Sequence, residues 1–219
     1  MDSIINCYKK FDELFYNPID EDFITDVLLN GEVWGAYLGT DIVACCYFMP
    51  LECEFFKERN TFAYLADFID EPEKYMYMGY IGTNFEAVNT EKQNFLKAEL
   101  NKANGLYTAF FNVAHMQTFR QGLKYILHST PYKLAPGLEP LFAAGYTLVK
   151  LRGLDNLVVH YIFAKAVLSC EDIYCAYDKN DTKLVPFAET KTVSAFLENG
   201  YCAVDMDDKN FLMKRLIAD

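Results

Sequence analysis

The sequence has little of what metal or disulfide chemistry requires. Its 219 residues hold three histidines, all isolated, and seven cysteines with no Cys-x-x-Cys spacing. A zinc site built from such pairs is thereby excluded, and the expectation is no metal. An odd number of cysteines in a chain too large to need staples reads as reduced thiols at 7, 45, 46, 53, 170, 175 and 202. Cys45 and Cys46 are neighbours in a strand-like run, so they point to opposite faces. There is no basic tract, and 20 Lys and Arg against 31 Asp and Glu give a net charge of −11. A nucleic-acid backbone is therefore not an expected partner. No apolar run approaches the ~20 residues that cross a bilayer. Asp2, Asp12 and Glu13 stand where a secretory leader would carry a basic start and an apolar core. The expectation is a cytoplasmic protein without a membrane partner.

What is present is apolar mass. Hydrophobic residues make up 52% and charged residues 23%, the composition of a chain that buries a sizeable core. The length allows one domain with an appendage. An acidic surface attracts a cationic substrate, such as a polyamine or a lysine-bearing peptide, or serves solubility alone.

Punctuation divides the chain. Residues 17–31 carry helix signals at both ends: Asn17 to cap, Pro18 at the first helical position, acids in the first turn, and Asn30-Gly31 for a left-handed stop. Runs 32–38 and 41–49 read as a β-hairpin across Gly39-Thr40. Residues 61–69 read as a short helix and 75–82 as a third strand. A polar stretch, 84–101, reads as an insertion, helical around 93–100. After Gly105, the residues Leu106, Phe110, Val113, Ala114 and, with one gap, Leu123 mark a long amphipathic helix whose last turn Gly122 ends or loosens. A strand at 124–128, a loop at 129–136, a short helix at 138–144 closed by Gly145, and strands at 146–151 and 158–164 follow. The last part reads as strand 173–177, helix 190–198, and strands 201–206 and 211–216. Both 142–149 and 197–204 place Gly-Tyr-x-x-Val after a helix. A duplicated half-domain explains that, and so does the habit of ending a helix with glycine before a strand.

The informative junction is Lys102-Ala-Asn-Gly-Leu-Tyr107, between the third strand and the long helix. A helix N-terminus offers unpaired N–H groups and the positive end of its dipole, which suits a pyrophosphate. A glycine in the turn lets the backbone approach closely.

Here the sequence resembles the GNAT superfamily of acyl-CoA-dependent N-acyltransferases, whose loop reads Gln/Arg-x-x-Gly-x-Gly/Ala. Lys102 stands for the Gln or Arg, Gly105 for the first glycine, and Tyr107 for the final small residue. The element order from 30 to 165 resembles the family core, and Ala143-Ala-Gly-Tyr146 resembles the helix ending in Gly-Phe or Gly-Tyr before its sixth strand. Tyr107 departs from the pattern by its bulk, as does the insertion ahead of the loop. The resemblance implies a three-layer αβα fold with a mixed, mostly antiparallel central sheet over 1–166, and a small C-terminal βαββ extension over 167–219. That extension would pack on or complete the sheet, form a homodimer interface, or cover the acceptor cleft.

The resemblance also implies a site. Acetyl-CoA or another acyl-CoA would be the cosubstrate, bound by Lys102 and with its pyrophosphate on the N–H groups of Ala103, Asn104, Gly105, Leu106, Tyr107 and Thr108. The thioester carbonyl would meet backbone at Ile81, Gly82 and Thr83, and Lys92, Lys97 and Lys102 are candidates for the adenosine phosphates. Acylation of an amine needs a base for the ammonium proton and a donor for the leaving thiolate. The family's usual acid is a tyrosine four residues ahead of the helix-closing glycine; Leu141 stands there, beside Phe142. Tyr132 and Tyr107 are the substitutes. Glu86 and His128 are the candidate bases, since an imidazole titrates near 6.5, while His115 and His160 read as structural. No histidine is placed to activate Cys45 or Cys46, so direct transfer to a small-molecule or peptide amine is expected. The rivals are a GNAT-fold module that binds CoA or a partner without transfer, and a transferase using a donor other than CoA.

Overall fold

The computed structural model describes residues 1–9, 19–54, 56, 69–99, 105–131, 138–153, 160–167 and 177–217. By compactness they form two units, Met1–Leu123 and Lys124–Asp219. The expected helix over 61–69, apart from its last residue, lies outside the described residues.

The first unit is built on one strand. Helix α1 (Asp2–Tyr8) and helix α2 (Glu21–Asn30) precede strands β1 (Glu32–Leu38) and β2 (Asp41–Pro50). Asp20 caps α2 by accepting from the Phe23 N–H at 2.8 Å, a contact worth about 1 kcal/mol. The expected start at Asn17 and Pro18 is corrected to Glu21, because Asp20 is extended and takes the cap position; Asn17 and Pro18 themselves lie outside the described residues. The expected left-handed stop at Gly31 is corrected: its φ is −161°, which is extended backbone. Glycine is needed there for room, because a Cβ would sit 2.1 Å from the Phe48 carbonyl oxygen. The hairpin turn does need the left-handed region, with Gly39 at φ 69°.

Strand β2 is buried from Val43 to Met49 without alternation. A run with no polar face implies cover on both faces. Helices α1 and α2 pack on it. Its Tyr47 ring lies 6.2 Å from Tyr8, 5.5 Å edge-on from Phe23 and 6.2 Å from Tyr77. The expected strand over 75–82 is corrected to two short ones, β3 (Tyr75–Met78) and β4 (Gly82–Thr83), both antiparallel to β2. Phe48 pairs with Met78 and Cys45 with Gly82, so Gly79, Tyr80 and Ile81 face only Cys46 and Tyr47. One extra residue is a β-bulge.

A short 3₁₀ turn (Phe85–Ala87), helix α3 (Thr90–Glu99) and helix α4 (Leu106–Arg120) complete the unit. Asn89 caps α3, its Oδ1 accepting from the Lys92 N–H at 3.1 Å. Val43, Phe85, Val88 and Leu96 form one buried cluster, with Leu106 packed against it. The start of α4 is thereby seated against the 3₁₀ turn and α3. The buried face of α4 is Phe110, Phe111, Ala114, Gln117 and Thr118. Phe111 replaces the expected Val113, and two polar residues lie in the stripe. The Thr118 hydroxyl stays satisfied by donating to the Ala114 carbonyl at 2.7 Å. Gly122, at φ 70°, ends the helix: Leu123 N–H reaches the Thr118 carbonyl and Gly122 N–H that of Phe119, the two bonds of a Schellman stop.

In the second unit, β5 (Tyr125–Pro131), α5 (Glu139–Ala143), β6 (Thr147–Arg152) and β7 (His160–Ala166) lead to β8 (Tyr177–Pro186), α6 (Thr190–Glu198), β9 (Tyr201–Met206) and β10 (Asn210–Leu216). Their order is β5-β7-β6-β9-β10-β8, with every recorded register antiparallel. The expected C-terminal βαββ stretch is present, and it continues this sheet through β9, which pairs with β6 at Leu148–Ala203. Phe142 of α5 packs at 5.3 Å on Phe163 and 6.0 Å on Phe211, so the same core serves both sequence regions. The strand expected over 173–177 is corrected to β8 at Tyr177–Pro186, which shares only Tyr177 with it; residues 173–176 lie outside the described ones.

Candidate functional site

The bulge between β3 and β4 is locked from the N-terminus. Tyr8, wholly buried, donates its hydroxyl to the Tyr80 carbonyl at 3.1 Å, with the Cys45 carbonyl at 3.4 Å. Burial pushes its phenol well up, so it remains a neutral donor. The Tyr8 ring explains Gly82, where a Cβ would meet it at 2.8 Å and the Cys7 carbonyl oxygen at 2.9 Å. Ile81, Gly82 and Thr83 are all buried. Asn84 donates to the Val43 carbonyl at 2.9 Å; strand alternation then turns the Thr83 amide to the opposite edge.

Gly105 is buried and is the residue before α4, with no side-chain cap and no acid in the first turn. The first intrahelical bond runs from Ala109 N–H to the Gly105 carbonyl at 3.0 Å. Helix geometry therefore leaves the amides of Leu106, Tyr107 and Thr108 without partners inside the helix. These residues fit a phosphate group: a glycine at the cap position and, among the described residues, first-turn amides that no side chain caps and a first turn without a carboxylate. Lys102, Ala103 and Asn104 lie outside the described residues. Tyr107, the bulky departure from the loop pattern, stacks on Phe111 with centroids 6.4 Å apart and an interplanar angle of 20°. Burial raises its phenol pKa, so it gives up a proton less readily than a free tyrosine.

At the end of β4, in the same unit, a pocket of about 520 Å³ is lined by Asn6, Lys9, Asn84, Glu86, Gln93 and Lys97, with Thr83 and Phe85. Three separate expectations converge on it: the end of β4, Glu86 and Lys97. Lys92 does not line it and is exposed. Sequence reasoning missed Asn6, Lys9 and Tyr8, which α1 and the residue after it bring from far along the chain. Nothing in their spacing signals the site.

The remaining candidates lie elsewhere. His128 belongs to β5 of the second unit and is buried, paired in register with Phe163. Tyr132 lies outside the described residues. Leu141, where the family has a tyrosine, is buried in α5; its carbonyl accepts from the Tyr146 N–H at 3.0 Å. Contact with the Cys7 thiol and burial push the Cys45 thiol well up, and burial does the same to Cys46. Neither is a thiolate at neutral pH. Among the described residues no three of His, Cys, Asp and Glu gather as a metal would require. No helix of these residues is long and apolar enough to cross a membrane.

No protein-family model and no curated protein sequence matches the chain. Solved structures do. The protein yncA of Salmonella typhimurium, assigned as an acetyltransferase and solved with its cofactor acetyl-CoA, matches with a TM-score of 0.52 at 10% identity, over 77% of this chain and 88% of its own. FeeM, an N-acyl amino acid synthase from uncultured soil microbes, matches with a TM-score of 0.52 at 17% identity, over 76% and 90%. A structure assigned as a phosphinothricin N-acetyltransferase matches with a TM-score of 0.50 at 11% identity, over 77% and 92%. At such identities the likeness speaks for the fold, and the chain has the fold of the GNAT superfamily of acyl-CoA-dependent N-acyltransferases.

Proposed function

We propose that the chain is an N-acyltransferase that moves an acyl group, acetyl in the first instance, from CoA to a primary amine of a small molecule or peptide. The observation that carries this reading is the start of α4: a buried glycine, no side-chain cap, and first-turn amides left for an anion. Leu106, Tyr107 and Thr108 would hold the pyrophosphate, with Lys102 as a further partner, and the Ile81–Thr83 backbone would face the thioester. Bound acyl-CoA supplies an activated carbonyl. The protein's task is then to deliver a neutral amine. The amine forms its N–C bond as the C–S bond breaks; one proton goes to a base and one to the departing sulfur. Glu86 lines the pocket at the end of β4 and is the base this reading favours within the first unit, with His128 as the second candidate and Tyr132 as the candidate acid. The raised thiols of Cys45 and Cys46 favour direct attack over a covalent intermediate.

Calorimetric titration with acetyl-CoA tests the reading. Micromolar binding, about −8 kcal/mol, is expected for the wild type, and Gly105→Glu should weaken it at least a hundredfold by placing a side chain and a negative charge in the loop. Unchanged affinity in the variant would move the site elsewhere. Leu141 favours the second reading, a fold that retains CoA without transferring, since no hydroxyl stands at that buried position. Tight binding with no acetylated product from any of a broad panel of amines would assign the chain to that class.

A further inference from the structure

The pocket at the end of β4 holds charges of both signs that are not spent on one another. Lys9 lines it from the residue after α1, Glu86 from the 3₁₀ turn, and Lys97 from α3. Among the described residues none of the three takes part in an ion pair. In a chain of net charge −11, two ammonium groups and one carboxylate make this wall a local reversal of sign. A polyamine entering it would meet two like charges, and a simple anion would meet Glu86. A ligand that satisfies every group bears one ammonium and one acid. Neutral groups line the same space: the Asn6 and Asn84 amides, and Gln93, whose Nε2 is committed to the Val88 carbonyl at 2.9 Å. The volume of about 520 Å³ is that of a site for a small molecule and too small for a folded partner.

We propose that this pocket binds a small amine that also carries a carboxylate, an amino acid in the simplest case, with its carboxylate at Lys9 and Lys97 and its ammonium at Glu86. Thr83 ends β4 at the pocket. An ammonium held by Glu86 is therefore delivered to the strand end where the transferase reading lays the thioester. Its role as acceptor rests on that reading; its binding does not.

The test is run on the full chain with no acyl-CoA present, by calorimetry against the twenty amino acids, their methyl esters and spermidine. At least one free amino acid should bind saturably, and its ester at least tenfold more weakly. Lys97→Met should weaken the free acid about tenfold and leave the ester unchanged, because only the acid uses that lysine. Glu86→Gln should weaken both, because both keep the ammonium. Lys191→Met, exposed on α6, should change nothing. Failure of every amino acid to bind, equal binding of acid and ester, or preference for spermidine would each overturn the proposal. Acetyl-CoA is then added: binding without acetylation of the bound amine would sink the transferase reading and leave the pocket assignment standing.

Discussion

The Gly79–Tyr80 bulge and the Gly200–Tyr201 junction share a dipeptide and use it in opposite ways. At the bulge the glycine supplies missing volume: a Cβ on Gly79 would land 2.2 Å from the Tyr47 ring. At the junction it supplies a backbone sign: Gly200 sits at φ 81°, and a Cβ there would meet nothing within 4 Å. The tyrosines differ too. Tyr80 is buried and its carbonyl is held by Tyr8, whereas Tyr201 is half-buried and donates to Asp181 at 2.7 Å. Residues 145–146 repeat the second use, with Gly145 at φ 82°. Identical letters thus report crowding in one region and chirality in the other, and substitutions separate the two.

The largest effect is expected at Gly79. Alanine there must displace a ring packed among Tyr8, Phe23 and Tyr77, an overpacking that costs about 3 kcal/mol. Urea denaturation should show that loss, and Tyr47→Leu in the same chain should recover part of it by vacating the space. Absence of any recovery would mean that Gly79 is kept for its backbone after all.

Gly200→Ala should cost less, about 1–2 kcal/mol for holding an L side chain at positive φ. No second substitution nearby should repair it, since nothing is crowded. Asparagine at 200 should be milder than alanine, because Asn visits the left-handed region more readily. At 79 the order should reverse, with the larger side chain doing more harm. Urea midpoints of the four variants decide the comparison, and a shared order at both sites would erase the distinction.

The same contrast explains what the sequence disclosed. Elements punctuated by turn chemistry were legible: the Gly39 hairpin, the Gly122 and Gly145 stops, and the final helix-strand-strand. The bulge was not, because 75–82 is apolar throughout and one extra residue leaves no break in a pattern without alternation. Gly31 misled for a related reason, as a glycine after a helix reads as a left-handed stop whether its task is sign or space. Of the residues that line the pocket, Glu86 and Lys97 stand out in the sequence for their chemistry near the loop. Tyr8, Asn6 and Lys9 reach the same strand end only through packing of α1 on β2 and β4, which no local spacing encodes.

The smallest effect isolates the tyrosine side of the comparison. Tyr201 first, then Lys183 at 3.3 Å and Arg215 at 3.7 Å, hold the Asp181 carboxyl below the usual carboxylate range. A group whose folded pKa is depressed contributes stability above its unfolded pKa, about 3.9 for Asp, and loses it as pH falls through the folded value. The same contact raises the Tyr201 phenol, so the contribution fades again as pH rises through that group's folded value. Tyr201→Phe should therefore lower Tm slightly at neutral pH, and the gap to wild type should close under strong acid and strong alkali. The Gly200→Ala gap carries no proton and should persist across the same range. Thermal melts of both variants across pH compare them directly, and a Tyr201→Phe gap that ignores pH would show that the hydroxyl contributes through packing and not through Asp181.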